Sequence, residues 1–418
     1  INKINQIQTK NNLDIKTICA DSADLNIFEE IDLKSVDFFI ACTNDDKLNL
    51  LTAMYFESIP GIQTLVVLKN NKYKDYPGKL GFPEIKTFYH GDIVSEKIMN
   101  LFETPYSWET DKIADSRILF LKIKIDETSP LIGKSIYSLN KDGLNRWKFL
   151  AVTEDPSNQK LNFVKSNTPS TRLKKDDIVL AVVGLESETE FEQTYFSTDN
   201  LELRNIFIVG GSYIASNVAK RLVRKKCNVK LIVSDKARAR ELSEELSDVQ
   251  IILGEPTNED LLKDNGVGKD CDYFLALTDD DEINVLSALL SNKLKAKNSL
   301  VVYSKSEYQN VINSIGAERE INTKYSISGE INSYIMRKSY SHETIVDENT
   351  KIFEFKAKED LAVEKISSDI SLAFVIRNTK DGSLILDPED GIAIKGDYVI
   401  AVTLNSDAEK SLESKILK

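Results

Sequence analysis

The chain has 418 residues, of which 41 % are hydrophobic and 29 % charged, with a net charge of −12. That length accommodates several domains, each with a core of its own. The acidic balance argues against nucleic acid, whose phosphates need clustered Lys and Arg, and against direct docking on an anionic lipid surface. No apolar run approaches the roughly 18 residues of a membrane-spanning helix. The longest, such as Ile178–Leu185, are strand-sized. The four cysteines (Cys19, Cys42, Cys227, Cys271) show no metal or redox spacing and read as reduced core residues of a cytosolic protein.

In chain order, residues 1–14 read as the tail of a loop and the helix after it. Strands are predicted at Thr17–Cys19, Asp37–Ala41 and Thr64–Leu68, with a helix at Lys47–Ser58. Strands at Arg117–Ile125, Trp147–Thr153 and Asp177–Gly184 follow, the first of them alternating in polarity. Asn205–Asp235 then reads as strand, glycine turn, helix and strand. Asn205–Val209 ends at Gly210-Gly211, Ile214, Val218, Leu222 and Val223 share one helix face, and Val229–Val233 is apolar. Further strands fall at Gln250–Leu253, Tyr273–Leu277 and Ser299–Tyr303, with a helix at Glu282–Leu294. Lys351–Lys356, Ala373–Arg377 and Asp397–Val402 complete the set.

The chain repeats itself. Residues 18–53 match 252–288 place by place with one extra residue in the second copy, 64–73 match 299–308, and YSWET at 106–110 faces YSHET at 340–344. The counterpart of the strand at Asn205 falls about 30 places ahead of residue 1, so the first copy is expected to lack its opening strand–helix–strand unit. Each copy divides into a lobe of apolar strands alternating with helices, which implies a covered parallel sheet, and a smaller α+β lobe. Expected boundaries are 1–103 and 114–196 for the first copy, and 204–338 and 350–418 for the second. Linkers are expected near 104–114, 196–203 and 339–349. The fold class is therefore α/β, with two Rossmann-like parallel-sheet N-lobes, each followed by a small α+β C-lobe.

The glycine turn departs from G-x-G-x-x-G/A, with Gly210, Ser212 and Ala215 in its three places. Serine puts a Cβ where a pyrophosphate needs the backbone close, and Val233 stands where the ribose-binding acid is sought, with Asp235 two residues on. A purely structural α/β unit is the plain alternative.

Paired lobes, the ADS and GEP turns, and the ACTNDD and ALTDDD strand ends resemble the tandem RCK (KTN) domain family of bacterial potassium-uptake regulators. The resemblance covers essentially the whole chain. It implies regulatory binding of NAD(H) and of ATP or ADP in the N-lobes. It also implies assembly into a ring, expected as a homotetramer, that gates a Trk-type membrane subunit of TrkH or TrkG kind. On that reading the chain is cytoplasmic and peripheral on the membrane's inner face through its partner.

Ligands of open α/β sheets sit beyond the carboxyl ends of the strands. In the first copy this points to Asp21, Ser22, Thr43, Asn44, Asp45 and Lys69. In the second it points to Gly210, Gly211, Ser212, Tyr213, Ile214, Asp235, Glu255, Thr278 and Asp279. The resemblance places Asp21 and Ser22 near an adenosine, and Lys69 could face phosphate. Ser304 replaces Lys69 in the second copy, so the first ranks as the better site. Helix capping is the competing role for Asp21, Thr43 and Asn44. The acidic clusters Asp45-Asp46 and Asp279–Asp281 could hold a divalent ion but more often open helices.

Enzyme chemistry is not favoured. A dehydrogenase needs a proton donor beside the nicotinamide, and neither His90 nor His342 supplies one. Tyr137–Lys141 and Tyr334–Lys338 have the Tyr-x-x-x-Lys spacing that fifteen tyrosines produce by chance, and neither follows a glycine turn. An NAD(P)-dependent oxidoreductase is the alternative reading.

Overall fold

The computed structural model of the chain describes residues 16–30, 32–104, 107, 109–113, 117–125, 127, 129–143, 146–153, 172–196, 204–315, 317, 319–336, 342–345, 351–362, 371–378, 384–386 and 391–403. It divides into two compact units, Ile1–Gly91 and Asp92–Lys418.

The first unit carries a parallel sheet of β1 (Phe38–Ala41), β2 (Gln63–Leu68) and β3 (Lys86–Tyr89), in that order. Helix α1 (Asp46–Glu57) connects β1 to β2. Asp45 starts it by accepting hydrogen bonds from the Lys47 and Leu48 N–H groups, and Pro60 stands just beyond its end. Phe56 fastens the helix to the sheet, stacked on Phe39 with Phe28 edge-on. The expected strand at Thr17–Cys19 does not form. Its second-copy counterpart draws its hydrogen bonds from a neighbouring strand that has no equivalent among the described residues of the first copy. Cys19 and Cys42 are also not core residues: both are exposed, one on that unpaired segment and one in the turn after β1. Cys227 and Cys271 are buried as expected.

Helix α2 (His90–Glu103) opens the second unit from Asp92 onward. It leads to a four-stranded antiparallel sheet of β4 (Glu109–Ile113), β5 (Ile118–Lys124), β6 (Trp147–Thr153) and β7 (Ile178–Gly184), ordered β4-β5-β7-β6. After it come β8 (Asn205–Val209), α3 (Tyr213–Arg224), β9 (Asn228–Val233), α4 (Lys236–Glu245), β10 (Gln250–Leu253), β11 (Tyr273–Ala276), α5 (Asp281–Lys293), β12 (Asn298–Tyr303) and β13 (Arg319–Asn322). These six strands are all parallel, in the order β10-β9-β8-β11-β12-β13. The chain ends in a second antiparallel sheet of β14 (His342–Ile345), β15 (Lys351–Lys356), β16 (Ser371–Asn378), β17 (Leu384–Leu386) and β18 (Tyr398–Thr403), ordered β14-β15-β18-β16-β17. Strands β4 and β14 occupy stretches expected to be linkers. They take hydrogen bonds from the edges of β5 and β15.

Strand alternation decides how the two antiparallel sheets pack. Ile118 and Phe120 of β5, with Leu180 and Val182 of β7, share one core with Ile352, Phe374, Ile376, Ile400 and Val402 of the other sheet. Leu119, Leu121 and Ile123 point the other way, into a core with Trp147, Phe149, Phe191 and Tyr195. Lys148 of β6 pairs in register with Val182, and burial pushes its ammonium down to about 8.

Two outcomes follow. Phe374→Ala, at a site with no exposure, is expected to lower the unfolding free energy by about 3–5 kcal/mol in denaturant titrations. The folded chain releases the Lys148 proton near pH 8, whereas the unfolded chain keeps it to about 10.5. The unfolded state therefore binds more protons between those values, and stability gains from this residue as pH rises through that window. In urea titrations at pH 8 and 10 the gain is expected to be larger for the natural chain than for Lys148→Met.

Candidate functional site

The order of the six-stranded sheet reverses between β8 and β11, and a crevice opens beyond their carboxyl ends. A cavity of about 200 Å³ lies there, lined by Gly210, Gly211, Ser212, Ile232, Ser234, Pro256, Thr278, Asp279 and Ile283.

The glycine turn makes one wall. Gly210 has φ +122°, and a Cβ on it would lie 2.7 Å from the Leu277 carbonyl oxygen, so glycine is required for β8's turn to pass the end of β11. Ser212 caps α3: its hydroxyl accepts from the Ala215 N–H at 3.2 Å and donates to the Leu277 carbonyl at 2.9 Å. The residue that breaks the glycine pattern thus ties the turn to β11 while lining the cavity. Behind it, Ile214, Val218 and Leu222 seat α3 on the sheet.

The facing wall depends on a buried amide. Asn284 of α5 accepts at Oδ1 from the Thr278 N–H (2.8 Å) and hydroxyl (2.7 Å), and its Nδ2 donates to the carbonyls of Thr278 and Val302, both at 2.9 Å. Asp280 caps α5 through the Glu282 and Ile283 N–H groups. Asp281 accepts from the Ser304 and Lys305 N–H groups at 3.0 Å.

The first copy repeats this arrangement. Asn49 binds the N–H, hydroxyl and carbonyl of Thr43 and the carbonyl of Val67. Asp45 caps α1, and Asp46 accepts from the Lys69 and Asn70 N–H groups at 3.0 and 2.7 Å. Asp45, Asp46, Asp280 and Asp281 are therefore engaged by backbone, and no cluster suited to a metal ion occurs among the described residues. The sequence signal for the two asparagines was present, an amide six places after the threonine in both copies, but in isolation it reads as ordinary helix polarity.

The predicted residues separate accordingly. Gly210, Gly211, Ser212, Thr278 and Asp279 line one cavity. Tyr213, Ile214, Asp235 and Glu255 are not part of its lining. Ile214 is core. Asp235 caps α4 through the Arg238 N–H at 2.6 Å. Glu255 is exposed in the turn after β10, where its carbonyl accepts from Asn258. The Tyr213 hydroxyl donates to Asp92 Oδ1 at 2.9 Å, and burial together with that carboxylate pushes its pKa up to about 12. In the first copy, Thr43, Asn44, Asp45 and Lys69 meet beyond β1 and β2, with Lys69 Nζ donating to Asn44 Oδ1 at 2.9 Å. Asp21 accepts from the Ala23 N–H in a local turn beside Ser22. The cavity belongs to the second copy although the sequence ranks the first higher. Its glycine wall has no counterpart among the described residues of the first copy.

A parallel sheet with this strand order, a glycine turn and a crevice cavity defines a nucleotide-binding type of α/β domain, and the chain carries the second half of its sheet twice. The sequence signature of the TrkA-N domain matches residues 2–87 and 206–323. Those two stretches are similar to the TrkA-N domain family. It is 24 % identical over 379 residues to a protein of Archaeoglobus fulgidus named Trk system potassium uptake protein TrkA homolog, covering 88 % of this chain and 82 % of that one. The Trk system potassium uptake protein TrkA of Haemophilus influenzae is 24 % identical over 74 % of this chain and 68 % of its own length. Among solved structures, the GsuK RCK domain superposes with a TM-score of 0.58 at 15 % identity, over 96 % of this chain and 85 % of that one. The GsuK channel bound to NAD gives 0.57 at 14 % identity, over 99 % and 73 %.

Asn284→Ala would leave the Thr278 N–H and the Val302 carbonyl without their partner, at about 1–3 kcal/mol for each buried group. Chemical denaturation is expected to register that loss, and a similar one for Asn49→Ala in the first copy.

Proposed function

We propose that this chain is the nucleotide-sensing regulatory subunit of a Trk-type potassium uptake system. The observation that carries the reading is the cavity at the strand-order reversal, walled by the Gly210–Ser212 turn and by Thr278 and Asp279. Support comes from the relatives named as Trk potassium uptake proteins, and from likeness in fold to the GsuK channel bound to NAD. The regulatory ligands are NAD(H) and ATP or ADP, held at the carboxyl ends of the sheet strands. In the first copy Thr43, Asn44, Asp45 and Lys69, with Asp21 and Ser22, form the corresponding rim. N-lobes 1–103 and 204–338 carry these sites, and C-lobes 114–196 and 350–418 follow them.

The mechanism needs no bond-making group. A nucleotide in the crevice meets the first turn of α3, where Ser212 lines the cavity and the next residue, Tyr213, holds Asp92 of α2. Occupancy that prefers one position of this turn shifts the chain between two shapes. A coupling of about 1–3 kcal/mol is typical of such devices, whereas equal affinity for both shapes would gate nothing. The chains assemble as a ring, a homotetramer, on the cytoplasmic face of a TrkH- or TrkG-like membrane subunit. No described helix is long and apolar enough to cross a membrane, so contact with the membrane runs through that partner.

Potassium flux through vesicles holding the membrane subunit and this chain is expected to change severalfold on adding NADH or ATP, without consumption of either. Flux indifferent to both would refute gating, and steady NADH turnover would establish an oxidoreductase instead.

A further inference from the structure

The wall contributed by the end of β9 carries information about which nucleotide enters. In sheets of this kind an acid at the end of the second strand accepts hydrogen bonds from the ribose hydroxyls. Here that place is Val233, 2 % exposed, whose Cγ1 lies 3.2 Å from where a Cβ on Gly211 would be. Ser234 follows and lines the cavity. Asp235 comes next, outside the lining, with Oδ1 engaged by the Arg238 N–H. The strand end therefore offers the cavity the Ile232 side chain and the Ser234 hydroxyl, with Val233 turned into the core and no carboxylate from this strand.

Arg238, in the first turn of α4, folds back over the glycine turn. Its Cγ lies 2.9 Å from the position of a Cβ on Gly211, so glycine there makes room for this side chain. Nε donates to the Gly211 carbonyl at 2.9 Å, and Nη1 donates to Glu241 Oε2 at 2.9 Å. Nη2 has no partner among the described residues, and the side chain is 34 % exposed. Two bonds fix the guanidinium plane beside a residue that lines the cavity, and its remaining N–H groups are available to a ligand. A fixed planar cation of this kind is suited to a phosphate monoester, which can take two parallel N–H bonds from it.

We infer that the second N-lobe selects an adenine dinucleotide bearing a phosphate on its ribose 2′ position. Arg238 and Ser234 hold that phosphate, and Val233 denies an unmodified ribose its usual acceptor. The inference rests on the nucleotide reading above and adds the identity of the preferred class. Pairing of Arg238 with Glu241 does not oppose it, because that carboxylate is bonded to Nη1 and not to Nη2.

Titration calorimetry of the full chain with NADPH, NADH, ATP and ADP tests this, repeated on Arg238→Gln and Val233→Asp. NADPH is expected to bind at least about tenfold more tightly than NADH, in line with a charge-assisted bond pair. Arg238→Gln is expected to abolish that preference, and Val233→Asp to turn it toward NADH. Both substitutions lie in the second N-lobe, so a preference generated elsewhere in the chain would survive them. Arg238 is partly exposed, so its variant remains informative if an acid at buried Val233 prevents folding. NADH binding as tightly as NADPH, or a preference that persists in Arg238→Gln, overturns the inference and leaves the nucleotide site standing. Absence of binding by all four nucleotides overturns both.

Discussion

Asn284 is 1 % exposed, and each polar atom of its side chain is committed, Oδ1 to two donors on Thr278 and Nδ2 to the carbonyls of Thr278 and Val302. A buried amide is tolerable only when satisfied in this way, because each unpaired group would carry its full desolvation penalty. The geometry that satisfies it fixes three elements at once: the end of β11, the start of α5 and the end of β12. Thr278 and Asp279 stand over the crevice because that turn cannot relax. Asn49 does the same for Thr43 and Asn44 in the first copy, down to the carbonyl of the following strand. The duplicated part of the protein is thus a device for presenting a strand end.

The copies differ in what that device presents. Beyond β2, Lys69 reaches Asn44 and offers a cation at the rim. Beyond β12, Ser304 turns its hydroxyl back onto Asp281 at 3.0 Å, and the charge is gone. A cation reappears on the opposite side of the second crevice as Arg238, brought in from α4 across Gly211. A framework held by backbone-directed amides and acids permits this exchange, since no ligand-facing residue is needed to keep the strands in place.

Much of the fold was legible from residue order. The unit from Asn205 to Val233 matched its reading almost to the residue, because β-branched runs, a glycine pair and a helical stripe all point the same way. Strands such as β13, with the sequence REIN, and β3, with KTFY, were not legible. They are short, mixed in polarity, and exist because β12 and β2 supply a ready ladder. The same dependence ran in reverse at Thr17–Cys19, apolar enough for a strand but without a described neighbour to pair with. In the site, the candidate ligand groups Asp45 and Asp235 also cap helices, as does Asp280. Residue type does not separate the two roles at a strand-to-helix turn, where both call for a short acid. Arg238 was invisible because its position depends on folding back over a turn 27 residues earlier.

The attachment of α2 is uneven along its length. Its last turns are sunk into the parallel sheet's core through Ile98, Met99 and Phe102, and the Arg319 guanidinium grips the Leu101 carbonyl in a buried bond of 2.9 Å. Toward its start it is held by the Tyr213 hydroxyl on Asp92, by the Arg221–Glu96 ion pair at 2.8 Å and by Val94. The start of α2 is thus joined to α3 by directed polar bonds as well as by packing, and its end by packing and the Arg319 bond. A small rotation of the first turn of α3 would therefore be felt by α2 directly, through the Tyr213 hydroxyl on Asp92.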